Sequence, residues 1–385
     1  MRVFLIAGEP SGDKLGAALM AGLKELAPWV TFDGIGGAQM AAEGLQSRFP
    51  MQELSVMGIA EILPKYRALK RRISQTAATV IETAPDVLIT IDSPDFSFRV
   101  ARRVKASSRI RTVHYVAPTV WAWRPGRAAK IAGFIDHLLT LLPFEPPYFT
   151  KHGMACDFVG HPVVAEPVPS QSDITAFRQT HGLGDAPVML VLPGSREGEV
   201  RRLSTDFGAA VQKVLQKQPQ LRVVVPAAAP VASLVQEAVQ DWNVDALVLD
   251  PQGMSAAQAN QQKRNAFYAA SLALAASGTV SVELAAARTP MVIAYKMNWL
   301  SFRLIRAMAL VDTVTLVNLV SDTRAVPEFL GPDCVPEAIA SALCETISSP
   351  DAQLAAMDAT MARLGRGEAP PGLRAAQAVL ARLPN

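Results

Sequence analysis

Short runs of aliphatic and β-branched residues recur along this chain, each followed by a Gly-, Ser- or Pro-rich loop and a stretch of helical period. The runs Val3–Ala7, Val87–Ile91, Ile110–Tyr115, Val188–Leu192, Leu221–Val225, Ala246–Leu249 and Met291–Ala294 are the predicted strands. They lack the apolar–polar alternation of a half-exposed strand, so both faces are expected to be buried, as in a parallel sheet covered on each side by helices. Strand–helix alternation then predicts an α/β class with doubly wound parallel sheets. Between Gly160 and Asp173 the texture changes, with three prolines and no helical period, which marks a linker. It sets off two Rossmann-like units, 1–164 and 165–364. An amphipathic helix at Leu373–Leu383, within a tail of roughly 365–385, is free to pack back on the first unit.

Composition supports this division. At 385 residues, half of them hydrophobic and 18% charged, the chain has material for two cores and no mark of global disorder. The formal charge of +3 is too weak to argue for nucleic acid. Cys156, Cys334 and Cys344 form no CxxC pair, which argues against a disulfide framework or a zinc site and fits a reducing cytosol. The first apolar run is too short for a signal peptide and ends in Gly8-Glu9. No continuous apolar stretch reaches the roughly 18 residues of a membrane span, so any membrane contact is peripheral.

Six loops near predicted strand ends can carry chemistry. In Gly8-Glu9-Pro10-Ser11-Gly12-Asp13, glycines let the backbone approach a ligand and the following helix start favours an anion. The spacing is not G-x-G-x-x-G, although Asp33, about 20 residues past Gly12, keeps a dinucleotide reading open. The plain alternative is a tight turn with Ser11 or Asp13 as a helix cap. In Asp92-Ser93-Pro94-Asp95-Phe96, two carboxylates could divide the work of activating and positioning a hydroxyl. The same residues also describe an ordinary helix start, with Ser93 as N-cap and Pro94 at the first position. His114 to Arg124 holds two of the five tryptophans, Trp121 and Trp123, followed by Arg124, Arg127 and Lys130. Aromatics beside guanidinium groups suit a phosphosugar with apolar substituents, or else line a domain edge. Leu192 to Glu199 offers Gly194 and Ser195 amides and an Arg196 phosphate clamp, or a capping box built on Ser195. In Ala276 to Glu283, Gly278 and Thr279 suit a pyrophosphate, and Glu283, one turn on, suits ribose hydroxyls. Asn318 is a lone polar residue in an apolar run, either a ligand contact or a satisfied core amide.

One further segment bears on membranes. Ile59, Ile62, Leu63, Tyr66, Leu69 and Ile73 recur at helical spacing, with Lys65, Arg67, Lys70, Arg71 and Arg72 between them. A basic amphipathic helix can lie in an anionic membrane surface, although a domain helix with one buried face has the same pattern. Pro64 is expected to interrupt it.

These segments together resemble the lipid A disaccharide synthase family in order and spacing. The matching stretches are GEPSGD (8–13), VMGIAE (56–61), DSPDF (92–96), HYVAPTVWAWR (114–124), LLPFE (141–145), FVGH (158–161), LPGSREGE (192–199), SGTVSVE (277–283) and VNL (317–319). The resemblance implies a GT-B fold, two Rossmann-like domains facing a cleft, and an inverting transferase. Its reaction would join UDP-2,3-diacylglucosamine to 2,3-diacylglucosamine 1-phosphate, giving a β-1,6 disaccharide and UDP. On that likeness UDP meets Gly194, Ser195, Arg196, Gly278, Thr279, Glu283 and Asn318 in the second unit. Asp95 is the implied general base, with Glu9 as partner or alternative. Ser11, Asp92, His114, Trp123 and Arg124 border the acceptor. Ile59, Ile62, Leu63, Tyr66, Arg67, Leu69 and Lys70 form the membrane surface, on the cytoplasmic face of the inner membrane. The likeness calls for no metal, cofactor or nucleic acid, and it leaves a homodimer open. Glu197 beside Arg196 departs from a simple phosphate clamp. Two rivals are carried forward: a UDP-sugar 2-epimerase-like enzyme, and a non-catalytic nucleotide-binding protein docked on membranes.

Overall fold

The computed structural model describes residues 1–54 and 59–383, the side chains of 59–66, 300 and 301 excepted. The chain forms two compact units, residues 1–165 with 364–385 and residues 166–363. Each is built on a six-stranded, fully parallel sheet.

In unit 1 the strands are β1 (Arg2–Ala7), β2 (Thr31–Ile35), β3 (Val87–Ile91), β4 (Arg111–Tyr115), β5 (His137–Thr140) and β6 (Ala155–Phe158), in spatial order β2-β1-β3-β4-β5-β6. In β1 and β3 nearly every residue is buried, which is why neither shows alternation. One face of the sheet packs on Ile73, Ala77 and Val80 of the Ile59–Thr83 helix and on Phe96, Val100 and Val104 of the Pro94–Ser107 helix. The other packs on Leu15, Leu19 and Leu23 of the Pro10–Leu26 helix. The tail helix Pro371–Leu380 adds Ala375, Ala376 and Val379 to that second layer. Gly22 and Gly372 allow the two helices to touch: a Cβ on Gly372 would lie 2.5 Å from the Ala18 carbonyl oxygen. Arg382 fixes the far end through a bidentate pair with Asp157 at 2.6 and 2.9 Å.

Unit 2 holds β7 (Val188–Leu192), β8 (Arg222–Pro226), β9 (Ala246–Leu249), β10 (Leu272–Ala276), β11 (Met291–Tyr295) and β12 (Glu328–Leu330), in order β12-β11-β10-β7-β8-β9. Its core runs from Val200, Leu203 and Phe207 of the Glu197–Lys217 helix, across β7, β8, β10 and β11, to Ile339 and Leu343.

Three expectations need correction. The units divide between Ala165 and Glu166, inside the expected 160–173 linker, but that segment is not without helix: Pro162–Ala165 forms a 3₁₀ turn, and a helix begins at Gln171 behind a Ser170–Asp173 capping box. Pro64 does not break the basic helix, which spans Ile59–Thr83: as the sixth helical residue it forgoes one ladder bond, and the helix continues for nineteen residues beyond it. Strands β2, β5, β6, β10 and β12 are additions to the sequence reading. Among the described residues no helix is long and apolar enough to cross a membrane.

Candidate active site

In unit 2 the strand order reverses between β7 and β10, and open parallel sheets bind ligands at such a reversal. The loops that leave these two strands border a cavity of about 690 Å³, whose walls include Gly194, Arg196, Ser277–Thr279, Glu283, Asn260 and Lys263. Gly194 holds a left-handed φ of 125°, and a Cβ there would lie 2.5 Å from that of Glu199. Glu199 is buried; its carboxylate accepts the Ser195 and Arg196 amides at 3.0 and 3.3 Å and Arg196 Nη1 at 3.3 Å. The capping box is therefore built on Arg196 and Glu199 rather than on Ser195, and of the two amides expected to face a phosphate, Gly194 and Ser195, that of Ser195 is already occupied. The Arg196 guanidinium stays 68% exposed on the cavity wall. Glu197 turns to Arg201, at 2.8 Å, so its charge is shared with another cation.

Gly278 has a φ of 155°, and a Cβ there would meet nothing within 4 Å. Thr279 caps the Val280–Ala286 helix by backbone only, with no side-chain bond to its first turn. Glu283, half-buried one turn later, pairs with Lys263 at 2.6 Å. Lys263 and Asn260, from the Ala256–Ala269 helix, were not singled out in the sequence, where they sit in a polar helical stretch with no local signature. Asn318 is 1% exposed and fully used: Nδ2 donates to Val326 O at 2.9 Å and Thr313 Oγ1 at 3.3 Å, and Oδ1 accepts Val326 N at 3.0 Å. It is the satisfied core amide of its two readings, and it does not line the cavity.

In unit 1 the reversal lies between β1 and β3, whose last residues, Ala7 and Ile91, are paired in register. The loops after them touch, since a Cβ on Gly8 would lie 2.4 Å from Ser93 Oγ. Glu9 is the half-buried N-cap of the Pro10–Leu26 helix, and Ser11 is exposed. Asp13 is buried and caps a different helix, Ala38–Ala42, through the amides of Gly37, Gln39 and Met40 at 2.8, 2.9 and 3.0 Å. Asp33 spends both oxygens on Arg48, at 2.7 and 2.6 Å, which removes the free carboxylate a dinucleotide ribose would need.

The DSPDF loop is not an ordinary helix start. Asp92 and Ser93 take left-handed φ values of 52° and 44°, and Ser93 makes no side-chain cap. Asp92 Oδ1 accepts the Ser93 amide at 2.9 Å, its own amide donates to Tyr115 O at 3.0 Å, and Ser97 Oγ donates to its carbonyl at 2.8 Å. These bonds hold two non-glycine residues where each costs about 1–3 kcal/mol, a signature of functional loops. Asp95 follows, exposed in the first helical turn, with no bond or ion pair to a described residue.

Of the residues expected near the acceptor, His114 is misplaced. It is fully buried in β4, with Nδ1 2.8 Å from Thr90 Oγ1 and its ring against Phe98, and burial pushes its pKa down to about 3. A core histidine of that kind stays neutral at ordinary pH. Trp121 is also buried, donating Nε1 to Glu145 Oε1 at 3.1 Å, while burial raises the Glu145 carboxyl to about 7. Trp123 is half-exposed, with the exposed Arg124 guanidinium 4.0 Å over its ring. Of the membrane segment, Arg67 and Lys70 are exposed and Leu69 half-buried; the side chains of Ile59, Ile62, Leu63 and Tyr66 lie outside the described residues. Arg72 is held at the protein surface by Glu53, at 2.8 and 3.0 Å.

The family model described as lipid-A-disaccharide synthetase matches residues 3–379. A lipid-A-disaccharide synthase from Ruegeria pomeroyi is 64% identical over all of this chain and 96% of its own length. One from Rhodospirillum centenum is 50% identical over 98% of this chain and 94% of its own. The chain belongs to the lipid-A-disaccharide synthase family. The fold itself extends further than that family. A UDP-GlcNAc 2-epimerase from Neisseria meningitidis, solved with UDP-GlcNAc, superposes with a TM-score of 0.66 at 13% identity, covering 100% of this chain and 99% of the other. A protein described as a putative UDP-N-acetylglucosamine 2-epimerase from Listeria monocytogenes gives 0.64 at 13% identity, covering 99% and 95%. Both sheets and their flanking helices are thus of GT-B type. The fold alone would fit an epimerase equally, so the family rests on the sequence matches and not on the superposition.

Proposed function

We propose that the chain transfers the diacylglucosaminyl group of UDP-2,3-diacylglucosamine to the 6-hydroxyl of 2,3-diacylglucosamine 1-phosphate. The observation that carries this reading is the unit 2 cavity, bordered by the two family loops at the β7/β10 reversal. Its volume falls within the range of small-molecule sites. Arg196 meets the diphosphate, the Gly278–Thr279 turn approaches it by backbone, and Glu283, steadied by Lys263, takes the ribose hydroxyls. Asn318 is left out of the contact set because its amide is already spent.

On unit 1, Asp95 accepts the proton of the acceptor's 6-hydroxyl as that oxygen attacks C1 of the donor sugar. The C1–oxygen bond to the diphosphate breaks, its electron pair leaves with UDP, and attack from the opposite face inverts C1. Arg196 balances the charge that builds on the leaving diphosphate. Glu9, on the adjoining loop, positions the acceptor or shares the proton. The Asp92–Ser93 turn fixes where Asp95 stands, and Trp123 with Arg124 borders the acylated phosphosugar. Both substrates carry acyl chains, so the enzyme works at the cytoplasmic face of the inner membrane, with the Ile59–Lys70 segment of unit 1 against anionic lipid.

The test is to incubate the pure chain with both substrates in detergent micelles and follow UDP and disaccharide by mass spectrometry. Equal amounts of the two products, lost in Asp95→Ala, support the reading. UDP release without disaccharide favours hydrolysis or epimerisation, and UDP binding without turnover favours a docking protein.

A further inference from the structure

Half of the large apolar side chains that remain exposed among the described residues fall in one short stretch of unit 2. They are Trp299 at 63%, Leu304 at 58%, Ile305 at 44%, Leu310 at 58% and Val314 at 43% exposure. Burial is the ordinary fate of such side chains, and a contiguous exposed group marks an interaction surface. The Trp299–Met308 helix carries most of them, and within it only Phe302 and Met308 are half-buried among the described side chains. Phe302 sits under Gly331, where a Cβ would come within 2.6 Å of its ring. The helix therefore hangs on unit 2 by a narrow attachment and leaves a wide face uncovered.

Charge identifies the occupant. Residues 297–311 contain two arginines and no acid. Arg303 lies 5.1 Å over the Trp299 ring and Arg306 5.9 Å over Phe302, and neither pairs with a described carboxylate. Nearby carboxylates are engaged elsewhere: Asp206 with Lys296, Asp312 with Arg324, and Glu328 with Thr313 and the amides of Val314 and Thr315. A two-fold contact with a second copy would bring these arginines toward one another with no acid in the stretch to receive them. An anionic lipid surface receives both the cations and the apolar face. Ten helical residues span about 15 Å, too short to cross a bilayer and of a length to lie in its interface.

We propose that the Trp299–Leu310 segment is a lipid-docking surface of unit 2, seating in an anionic leaflet independently of the unit 1 helix. The segment follows β11, next to β10, and so lies at the carboxyl edge of the sheet that carries the cavity. Docking there lets unit 2 draw an acylated nucleotide sugar straight from the bilayer, a consequence that rests on the function proposed above. The docking itself does not rest on it.

The experiment is flotation of the full chain with vesicles of phosphatidylethanolamine and phosphatidylglycerol, against phosphatidylcholine alone, with the transferase assay run in parallel. Trp299→Ser with Leu304→Ser and Ile305→Ser, and separately Arg303→Gln with Arg306→Gln, are each expected to weaken binding to the anionic vesicles by about tenfold. The change Trp29→Ser, at a 70% exposed tryptophan of unit 1, leaves it unchanged. Molar salt removes the difference between the arginine variant and the parent. Turnover of detergent-dispersed substrates stays within about twofold for both variants, which also shows that they fold, while turnover of vesicle-borne substrates falls with binding. Unaltered flotation of both variants overturns the proposal. So does a shift from dimer to monomer in sedimentation velocity with flotation intact, which would make the surface a contact between copies. A parent chain that floats but turns over nothing in detergent would count against the proposed reaction and leave the docking surface standing.

Discussion

Both sheets reverse strand order beside their first strand, yet the loops at the two reversals are built from different residues. In unit 2 the turning residues are glycines, Gly194 and Gly278, and beside Gly278 there is open space. In unit 1 the turning residues are Asp92 and Ser93, forced into left-handed backbone and pressed against Gly8. Glycine at a turn lets another group approach the backbone closely, which on the proposed reaction suits the admission of a nucleotide. Non-glycine residues held there by three hydrogen bonds sacrifice stability to fix a direction, as a site that must aim one carboxylate requires. On the proposed reaction, the unit 2 loops are a binding corner and the unit 1 loops a chemical corner of one architecture built twice.

The largest effect is expected at Asp95. Asp95→Asn is expected to lower kcat by about 10²–10⁴-fold with UDP affinity unchanged, read by steady-state kinetics and calorimetry. An equal loss of UDP binding would place the carboxylate in the wrong corner. Next is Arg196→Ala, expected to cost about 10²–10³-fold in kcat/KM and, unlike the Asp95 change, to weaken UDP binding in the same calorimetric titration.

Smaller effects test the fit between the two unit 1 loops. Gly8→Ala drives a Cβ into Ser93 and is expected to destabilise the fold by about 1–3 kcal/mol in urea unfolding. Ser93→Gly removes both the clash and the left-handed strain, so the double variant recovers most of that loss, a coupling that a double-mutant cycle reads directly. If the two single effects simply add, the loops do not press on one another.

A last contrast separates the units by pH. His114, His137 and His161 of unit 1 are held neutral by burial, with pKa values lowered to about 3, 4 and 4 from 6.5. Below pH 6.5 the unfolded chain takes up protons that these folded sites refuse, so stability falls as pH falls, by about 1.4 kcal/mol per pH unit for each histidine until its folded pKa is reached. Glu145, raised to about 7 from 4.5, works the other way: between pH 7 and 4.5 its folded form holds the proton more tightly, which offsets one histidine. Unit 2 carries only His181, half-exposed. Hydrogen exchange at pH 7 and pH 5 is expected to show unit 1 opening more readily at the lower pH while unit 2 changes less.

What the sequence made legible follows the strength of the local signal. β1, β3, β7 and β8 announce themselves because their aliphatic runs are rich in Val and Ile. β10 escapes because Leu-Ala-Leu-Ala-Ala has no β-branched residue and suits a helix equally. β2, with Asp33 and Gly34 inside it, and the four-residue β5 and β6 carry too little pattern, and three-residue β12 carries almost none. At the sites, loop positions are readable while partners are not. Asp13 looks like a local cap, and its capped helix begins 25 residues later; Glu199 looks like a first-turn acid, and it takes the Ser195 amide that was expected to face a phosphate. Both assignments depend on contacts that no window of sequence contains.

The tail helix on unit 1 has a consequence for how the chain is made. Its seat on the Pro10–Leu26 helix joins residues more than three hundred positions apart, through a glycine-to-glycine approach that admits no substitute side chain without movement. During synthesis the sheet of unit 1 emerges first, but Leu15, Leu19 and Leu23 lack the cover of Ala375, Ala376 and Val379 until translation reaches them. Unit 2, contiguous from 166 to 363, has all its elements out before the tail helix is made. The ribosome thus delivers a finished second unit beside a first one still waiting for its last layer, and the nascent N-terminal half is where a chaperone has most to hold.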